Sequence, residues 1–330
     1  MKVISVVCFY HNEASSIGRC VTSILDQKSA KWEAVLINDG STDGSGEIVD
    51  RLIQKNKVDT KVIHLKMRQN MGADLARDLA MREAKGDYLA LLAGDDYWAD
   101  RRYLQRATKA LESFPRAAGY FCRTVLVAGP EQSKVGLVGW APQVGWNSPM
   151  VCREAFFQDK LNIPGSSFVL RRDLLQELGG FSAELGGQSD TFANHAMAMQ
   201  HGVIYSKDKV TVMAMAADTI GANQTAEEWS RRMGLLENRL RELGLLDGLQ
   251  AEVLDAWRKR RVAEFVSSTP IKQACEPVRS ALEQAMKQAS HSKPVRDFLA
   301  SLSFHVDEKL GQLESSELEV LQRWLRDLKN

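Results

Sequence analysis

Short apolar segments alternate with amphipathic segments through the first hundred residues, and this alternation constrains the fold more than any other feature of the chain. Apolar runs rich in β-branched residues occur at 3–9, 34–37, 61–65 and 88–93. Between them, apolar residues recur at helical spacing near 17–25, 48–53 and 73–84. Strands that alternate with helices through short connections predict an α/β fold with a mostly parallel sheet flanked by helices.

Three polar clusters each follow directly on a predicted strand. They are HNE at 11–13, NDGSTD at 38–43 and GDD at 94–96. The carboxyl ends of parallel strands lie at one edge of a sheet, and ligands of such sheets bind beyond that edge. We therefore expect the three clusters to meet there.

The NDGSTD cluster has a structural and a functional interpretation. Gly40 permits an unusual turn and Asp43 can cap the next helix, so the segment can be a simple strand-to-helix turn. A calcium loop is disfavoured because the segment follows a strand and its last ligand position holds Asp50 instead of Glu. The functional interpretation is that the carboxylate of Asp39 accepts an N–H of a nucleobase.

The GDD cluster places two adjacent carboxylates, Asp95 and Asp96, at the end of the apolar strand YLALLA. Such carboxylates repel each other and lose hydration, so they persist best beside a cation. Oxygen ligands favour Mg²⁺ or Mn²⁺, which stabilises the charge that develops on a leaving diphosphate. The alternatives are a turn without a ligand and a polymerase, and the short, nearly neutral chain disfavours the polymerase.

The second half of the chain has a different pattern. Residues 129–165 show no clear periodicity, so we expect an irregular stretch in which Trp140 and Trp146 either stack on an acceptor sugar or pack under a loop. From about Thr225 onward only amphipathic helices are predicted. The domains expected are therefore 1–220, which binds nucleotide, and 221–330, which is helical and a candidate for self-association.

Charge and composition narrow the classes of partner. The net charge of +1 gives no global attraction to nucleic acid. Five scattered cysteines, with neither a signal peptide nor a membrane span in the sequence, predict a cytoplasmic protein. The run WRKRR at 257–261 is either a solvated helix face or a peripheral contact with an anionic membrane.

Four segments, in order along the chain, resemble family 2 glycosyltransferases of the GT-A fold. These segments are VVCFYHNEASSIGRCVTSILDQ, VLINDGSTDGS, NMGADLARDLAM and GDYLALLAGDDYWAD. The GDDYW segment is shared with many bacterial members, and a looser likeness continues through GSSFVLRRDLL and on to Gly202. The triplet Gln322, Arg323 and Trp324 lacks the spacing of the processive enzymes' QxxRW motif, so the resemblance favours a non-processive enzyme.

The resemblance implies an inverting transfer of a sugar from a nucleotide-sugar donor, most often a UDP-sugar, to a hydroxyl of a glycan, a lipid carrier or a protein. It implies that Asp96 binds Mn²⁺ or Mg²⁺ and that Asp190 is the catalytic base. The residues that it assigns to the donor are His11, Asn12, Glu13, Asp39, Arg77 and Asp95.

Three positions depart from the family pattern. His11 stands where Tyr is usual, Ala93 replaces the first acidic residue of a longer DxDD pattern, and Ser189 replaces the Glu before Asp190. Asp190 can therefore alternatively be the N-cap of a helix. Two other functions stay open: an inactive nucleotide-binding or scaffolding module, and a nucleotidyltransferase, although HNEASSIG lacks the Gly-rich basic loop that the latter needs.

Overall fold

The strands and helices of the first hundred residues alternate as the sequence predicts. The computed structural model describes residues 2–28, 30–58, 61–128, 132–214, 226–268, 272–273 and 311–312. The strands of the main sheet are β1 (Ile4–Tyr10), β2 (Trp32–Asn38), β3 (Val62–Lys66), β4 (Tyr88–Ala93), β5 (Tyr97–Trp98), β6 (Gly119–Ala128), β7 (Ser133–Val138), β8 (Gly145–Asn147), β9 (Phe168–Arg171) and β10 (Val203–Ala214). The helices are α1 (Ile17–Leu25), α2 (Ser45–Asn56), α3 (Ala73–Glu83), α4 (Tyr103–Ser113), α5 (Pro149–Phe157), α6 (Arg172–Glu177), α7 (Ser189–His201), α8 (Ala226–Glu242) and α9 (Ala251–Ser268).

The main sheet has the strand order β3-β2-β1-β4-β9-β6-β10-β5, with β7 paired to β6 and β8 paired to β10. Strands β1 to β4 are parallel to one another, and β9 lies antiparallel between β4 and β6. Tyr10 is in register with Asn38, and Phe9 is in register with Ala93. This register brings the segments that follow β1, β2 and β4 to the same edge, which we call the carboxyl edge.

Helices cover both faces of the sheet, which explains why its central strands are continuous apolar runs. In β1, Val6 and Cys8 pack on the side of α1 and α4, while Val7 packs on the side of α3. Helix α1 buries Ile17, Val21 and Ile24 completely. Burying each of these side chains stabilises the fold by about 1.5–3 kcal/mol.

The prediction that residues 129–165 form an irregular stretch is wrong, because much of this segment is regular structure. It contains β7, β8 and α5. Strand β7 is exposed along its first half, so it has no apolar alternation to reveal it. Helix α5 is short, begins with Pro149 and is capped by the side chain of Ser148, which accepts the N–H of Val151 at 3.4 Å.

The chain divides into two compact units, one of residues 1–216 with 240–246 and one of 217–239 with 247–330. In the second unit, Arg258 donates to Glu237 at 2.6 Å and 2.9 Å, so part of the basic run is neutralised. Short strands β11 (Lys272–Gln273) and β12 (Gly311–Gln312) pair there, although only helices were expected. The predicted domain boundary near residue 220 stays a prediction, and none of the described helices is long and apolar enough to cross a bilayer.

Candidate active site

The loop after β1 is hydrogen-bonded to the loop after β2. Nδ1 of His11 lies 2.7 Å from the carbonyl oxygen of Asp39, which requires the proton on Nδ1. The backbone N–H of Asn12 donates to Ser41 Oγ at 3.0 Å, and Thr42 N–H donates to Asn12 Oδ1 at 2.9 Å. Asn12 adopts a φ of 54°, which Asn tolerates better than most residues. The HNE and NDGSTD clusters therefore form one surface at the carboxyl edge.

Asp39 organises a further loop, the one that leads into α3. Its Oδ1 accepts the N–H of Met71 at 2.7 Å and its Oδ2 accepts the N–H of Gly72 at 2.9 Å. Gly40 has a φ of 69°, and a Cβ at Gly40 would stand only 2.3 Å from the carbonyl carbon of Gln69. Each carboxylate oxygen keeps a second lone pair, so Asp39 can still accept a base N–H.

The GDD cluster lies against the HNE cluster. A Cβ at Gly94 would stand 3.4 Å from Cγ of Glu13. Burial raises the pKa of Glu13, and the charges of Asp95 and Asp43 raise it further. Burial also raises the pKa of Asp95. All three clusters therefore lie together, as the strand order predicts.

Asp96 is as deeply buried as Asp39, with only 3% of its surface exposed. Its Oδ2 accepts the Oγ–H of Ser166 at 2.5 Å, and its Oδ1 accepts the N–H of Ala214 at 3.3 Å. Burial, followed by the charge of Asp95, raises the pKa of Asp96 to about 7. Among the described residues, no positively charged side chain forms an ion pair with Asp95 or Asp96.

A divalent cation fits this position chemically. No group of three or more His, Cys, Asp or Glu side chains within the described ranges is placed to hold a metal ion. The oxygens of Asp95 and Asp96 nevertheless suit a hard cation that completes its coordination with phosphate and water oxygens. Such an ion would also offset the repulsion that raises the pKa of Asp96.

Asp190 lies in the first turn of α7, and the alternative that it is the N-cap is wrong because Gln188 holds that position. Its Oδ1 accepts the N–H of Thr191 at 2.8 Å. Its Oδ2 lies against Gly165, because a Cβ added to Gly165 would stand 2.4 Å from this oxygen. Burial raises the pKa of this partly exposed carboxyl group, while the nearby charge of Arg77 lowers it.

Arg77 lies beside Ser189, the residue that precedes Asp190. The Arg77 guanidinium donates to Asp74 Oδ1 at 2.7 Å and to Ser189 Oγ at 3.4 Å, and it lies 4.9 Å from the ring centre of Phe181. Only 6% of Arg77 is exposed. Among its described neighbours, Arg77 therefore contacts residues around Asp190, while its predicted role near the donor stays a prediction.

The turn at 165–167 contacts both Asp96 and Asp190. The sequence did not predict that it belongs to the site. Ser166 donates to Asp96, and Gly165 lies against Asp190. The sequence GSS directly before the buried strand β9 predicts a tight turn, but it does not predict which residues the turn contacts.

The two tryptophans of the 129–165 stretch are held by protein contacts. Trp146 stacks on Phe114 with 5.8 Å between ring centres, and it pairs with Ile204 near the start of β10. Asp96, in contrast, contacts the end of β10, so Trp146 lies at the opposite edge of the sheet from Asp96, beside an open cavity of about 390 Å³. These contacts of Trp146 agree with the alternative of packing under a loop, and the stacking of either tryptophan on an acceptor sugar stays a prediction. Trp140 donates its Nε1–H to the carbonyl of Asp159 at 3.1 Å.

Residues 5–179 match the family model of glycosyl transferase family 2. Over 96 residues, 29% of this chain and 37% of the relative, the chain is 35% identical to the putative teichuronic acid biosynthesis glycosyltransferase TuaG of Bacillus subtilis. It is 33% identical over 98 residues, 30% of this chain and 37% of the relative, to the UDP-Glc:alpha-D-GlcNAc-diphosphoundecaprenol beta-1,3-glucosyltransferase WfaP of Escherichia coli. The matched part of the chain spans about a third of the length of these curated relatives.

Two solved structures share the fold. The S. aureus TarS structure in complex with UDP-GlcNAc matches with a TM-score of 0.56 and 14% identity, over 93% of this chain and 92% of that chain. The mannosyltransferase PcManGT from Pyrobaculum calidifontis, in complex with GDP-Man and Mn²⁺, matches with a TM-score of 0.54 and 20% identity, over 97% of this chain and 87% of that chain. These likenesses confirm the predicted GT-A fold class.

Proposed function

The chain belongs to glycosyl transferase family 2, and from this membership we propose that it transfers a sugar from a nucleoside diphosphate sugar to an acceptor hydroxyl. The observation that carries the proposal is the meeting of Glu13, Asp39, Asp95 and Asp96 at the carboxyl edge of a mostly parallel sheet. Ligands of such sheets bind at this edge. A diphosphate there needs a compensating cation, which the acidic cluster would bind.

The loops after β1 and β2 bind the nucleoside in this proposal. Asp39 accepts a base N–H while its two bonds to the 71–72 backbone keep the carboxylate in one orientation. His11 and Asn12 are tied to the same loop and line the pocket. Because His11 stands where Tyr is usual, the imidazole provides a smaller surface for the base.

Asp96, with Asp95 beside it, would hold Mn²⁺ or Mg²⁺. The bound ion would supply charge stabilisation for the departing nucleoside diphosphate. Ser166 and the backbone of Ala214 orient the Asp96 carboxylate, and Asp95 faces the ribose or the sugar of the donor.

Asp190 acts as the general base. Its carboxylate takes the proton of the acceptor hydroxyl, and the hydroxyl oxygen attacks the anomeric carbon from the side opposite the leaving group, so that the configuration inverts. Burial raises the pKa of Asp190, which makes its carboxylate a stronger base, while the charge of Arg77 opposes this shift. A base so placed contributes about 10²–10⁴-fold to the rate.

The finer assignments of donor, acceptor and cellular location follow the relatives. A UDP-sugar is the favoured donor, since WfaP is named a UDP-Glc glucosyltransferase and the TarS structure is a complex with UDP-GlcNAc. The acceptor is a glycan, a lipid-linked sugar or a protein, and the enzyme works non-processively on the cytoplasmic side of the membrane. The C-terminal region that carries α8 and α9 mediates self-association or a peripheral membrane contact.

A donor panel tests this function. The protein is incubated with UDP-, GDP- and dTDP-sugars and Mn²⁺, and release of the nucleoside diphosphate is measured for the wild type and for Asp96→Ala. We expect slow release with one donor class and its loss in Asp96→Ala with the fold intact. Nucleotide binding without any release would favour the inactive scaffolding module, and full release by Asp96→Ala under a chelator would contradict the proposal.

A further inference from the structure

We propose that the two residues Gly165 and Ser166 form a positioning element shared by Asp96 and Asp190. Ser166 fixes the orientation of the Asp96 carboxylate, and the missing side chain of Gly165 leaves the space in which the Asp190 carboxylate stands. The inference rests on the proposed glycosyl transfer, in which these carboxylates have different roles. One turn would then position both the metal-binding carboxylate of Asp96 and the general base Asp190.

The turn is anchored to strands on either side of it. The carbonyl oxygen of Ser166 accepts the Nε1–H of Trp98 at 2.9 Å and the Oγ1–H of Thr211 at 3.1 Å. The next residue, Ser167, is fully buried and donates its Oγ–H to the carbonyl of Cys122 at 2.9 Å. Bonds to β5, β10 and β6 therefore fix the backbone of the turn independently of either carboxylate.

The contact of Ser166 with Asp96 is short and directional. The Oγ–H of Ser166 donates to Oδ2 of Asp96 at 2.5 Å, and a hydrogen bond to an ionised acceptor is about twice as strong as a neutral one. With Oδ1 held by the N–H of Ala214, both carboxylate oxygens have a fixed direction. Groups that orient a metal ligand in this way typically affect metal affinity about 10–100-fold.

The contact of Gly165 with Asp190 is steric. A Cβ at Gly165 would stand 2.4 Å from Oδ2 of Asp190, while its φ is outside the left-handed region. An alanine therefore fits the backbone without strain, and the group that must move is the end of the Asp190 side chain. Because small displacements of a reacting group cost about 10²-fold in rate, Gly165→Ala should act on the chemical step.

The experiment compares Ser166→Ala, Ser166→Thr and Gly165→Ala with Gly234→Ala, a control on α8 where an added Cβ meets open space. Mn²⁺ binding is titrated by electron paramagnetic resonance in the presence of UDP, GDP or dTDP. The kcat and the donor KM are measured from nucleoside diphosphate release. Thermal unfolding of each variant verifies that the fold is kept.

We expect Ser166→Ala to weaken Mn²⁺ binding about 10–100-fold and Ser166→Thr, which retains the hydroxyl, to restore it. Gly165→Ala should lower kcat about 10²-fold while Mn²⁺ affinity and donor KM stay at the wild-type values. Unchanged Mn²⁺ affinity in Ser166→Ala, or an unchanged kcat in Gly165→Ala, would overturn the inference. Wild-type Mn²⁺ and nucleotide binding in Asp96→Ala would instead overturn the proposed function.

Discussion

The carboxylate of Asp39 accepts the backbone N–H of Met71 at 2.7 Å, which ties the end of β2 to the loop that begins α3. The same carboxylate accepts the N–H of Gly72 at 2.9 Å. Helix α3 carries Arg77, which contacts Ser189 beside Asp190. Asp39, which is predicted to bind the nucleobase, therefore also fixes the loop that leads into α3. This loop lies between the nucleotide-binding side of the site and the predicted general base, Asp190.

Replacing Asp39 by Asn should lower both stability and nucleotide affinity. The amide offers one acceptor oxygen, so its NH₂ group must face one of the two backbone N–H groups. Leaving a buried donor unsatisfied costs about 1–3 kcal/mol, which denaturant unfolding will measure. The control is Asp173→Asn, because Asp173 is exposed and bonds only its neighbour Leu174 among the described contacts. Equal stability of Asp39→Asn and the wild type would argue against this role.

Gly40 and Gly44 offer a matched pair for measuring how tightly the two loops pack. Both have positive φ, 69° and 89°, so alanine costs backbone strain of about 1–2 kcal/mol at either position. Only at Gly40 would the added Cβ also collide with backbone, 2.3 Å from the carbonyl carbon of Gln69. We expect Gly40→Ala to lower the unfolding temperature and the nucleotide affinity more than Gly44→Ala. Equal losses of unfolding temperature and nucleotide affinity in the two variants would mean that the loop after β2 can move away from Gln69 without a cost in free energy.

Asp190→Asn should separate catalysis from donor binding. The amide keeps the size of the side chain but cannot take a proton from the acceptor. We expect kcat to fall about 10²–10⁴-fold while the Kd of the nucleoside diphosphate with Mn²⁺ stays unchanged. A variant with the full rate would show that another group is the base.

His64 should make stability depend on pH. Its Nε2 lies 2.7 Å from the hydroxyl of Tyr10, its Nδ1 lies 2.9 Å from Asp50, and burial lowers its pKa below 6.5. The unfolded chain therefore binds a proton at a higher pH than the native protein does. Between these two pKa values, ν_U exceeds ν_N, so the unfolding free energy contributed by His64 falls as the pH drops below about 6.5.

The measurement is the difference in unfolding free energy between the wild type and His64→Gln from pH 7.5 to pH 5. The difference cancels the carboxylates that titrate in both proteins. We expect the advantage of the wild type to shrink as the pH falls. An advantage that grows instead would mean that the native state favours the imidazolium ion.

The order of elements and the meeting of the polar clusters were predictable because both follow from local patterns. Strand β4, at Tyr88–Ala93, has the predicted bounds, since an apolar run between Gly86 and Gly94 leaves little choice. The parallel register then brings Asp39 and the GDD cluster to one edge.

The contacts among distant segments were not predictable. The bond from Ser166 to Asp96 joins residues 70 positions apart, and no local pattern encodes such a pair. Strand β7 was missed because its outer residues are exposed, which removes the alternation that identifies a strand. Ser189 looked like a loss in the sequence, yet its hydroxyl accepts a bond from Arg77 in the structure.

Thermal unfolding with nucleoside diphosphates tests the central claim, that the acidic cluster at the carboxyl edge binds a cation together with a diphosphate. Wild type and Asp96→Asn are unfolded with UDP, GDP or dTDP, each with Mn²⁺ and each with a chelator. For the wild type, one nucleotide should stabilise by about 2.7 kcal/mol at a hundred times its Kd, only with Mn²⁺, and Asp96→Asn should lose this stabilisation. Stabilisation of equal size in Asp96→Asn, or none by any nucleotide in the wild type, would contradict the account.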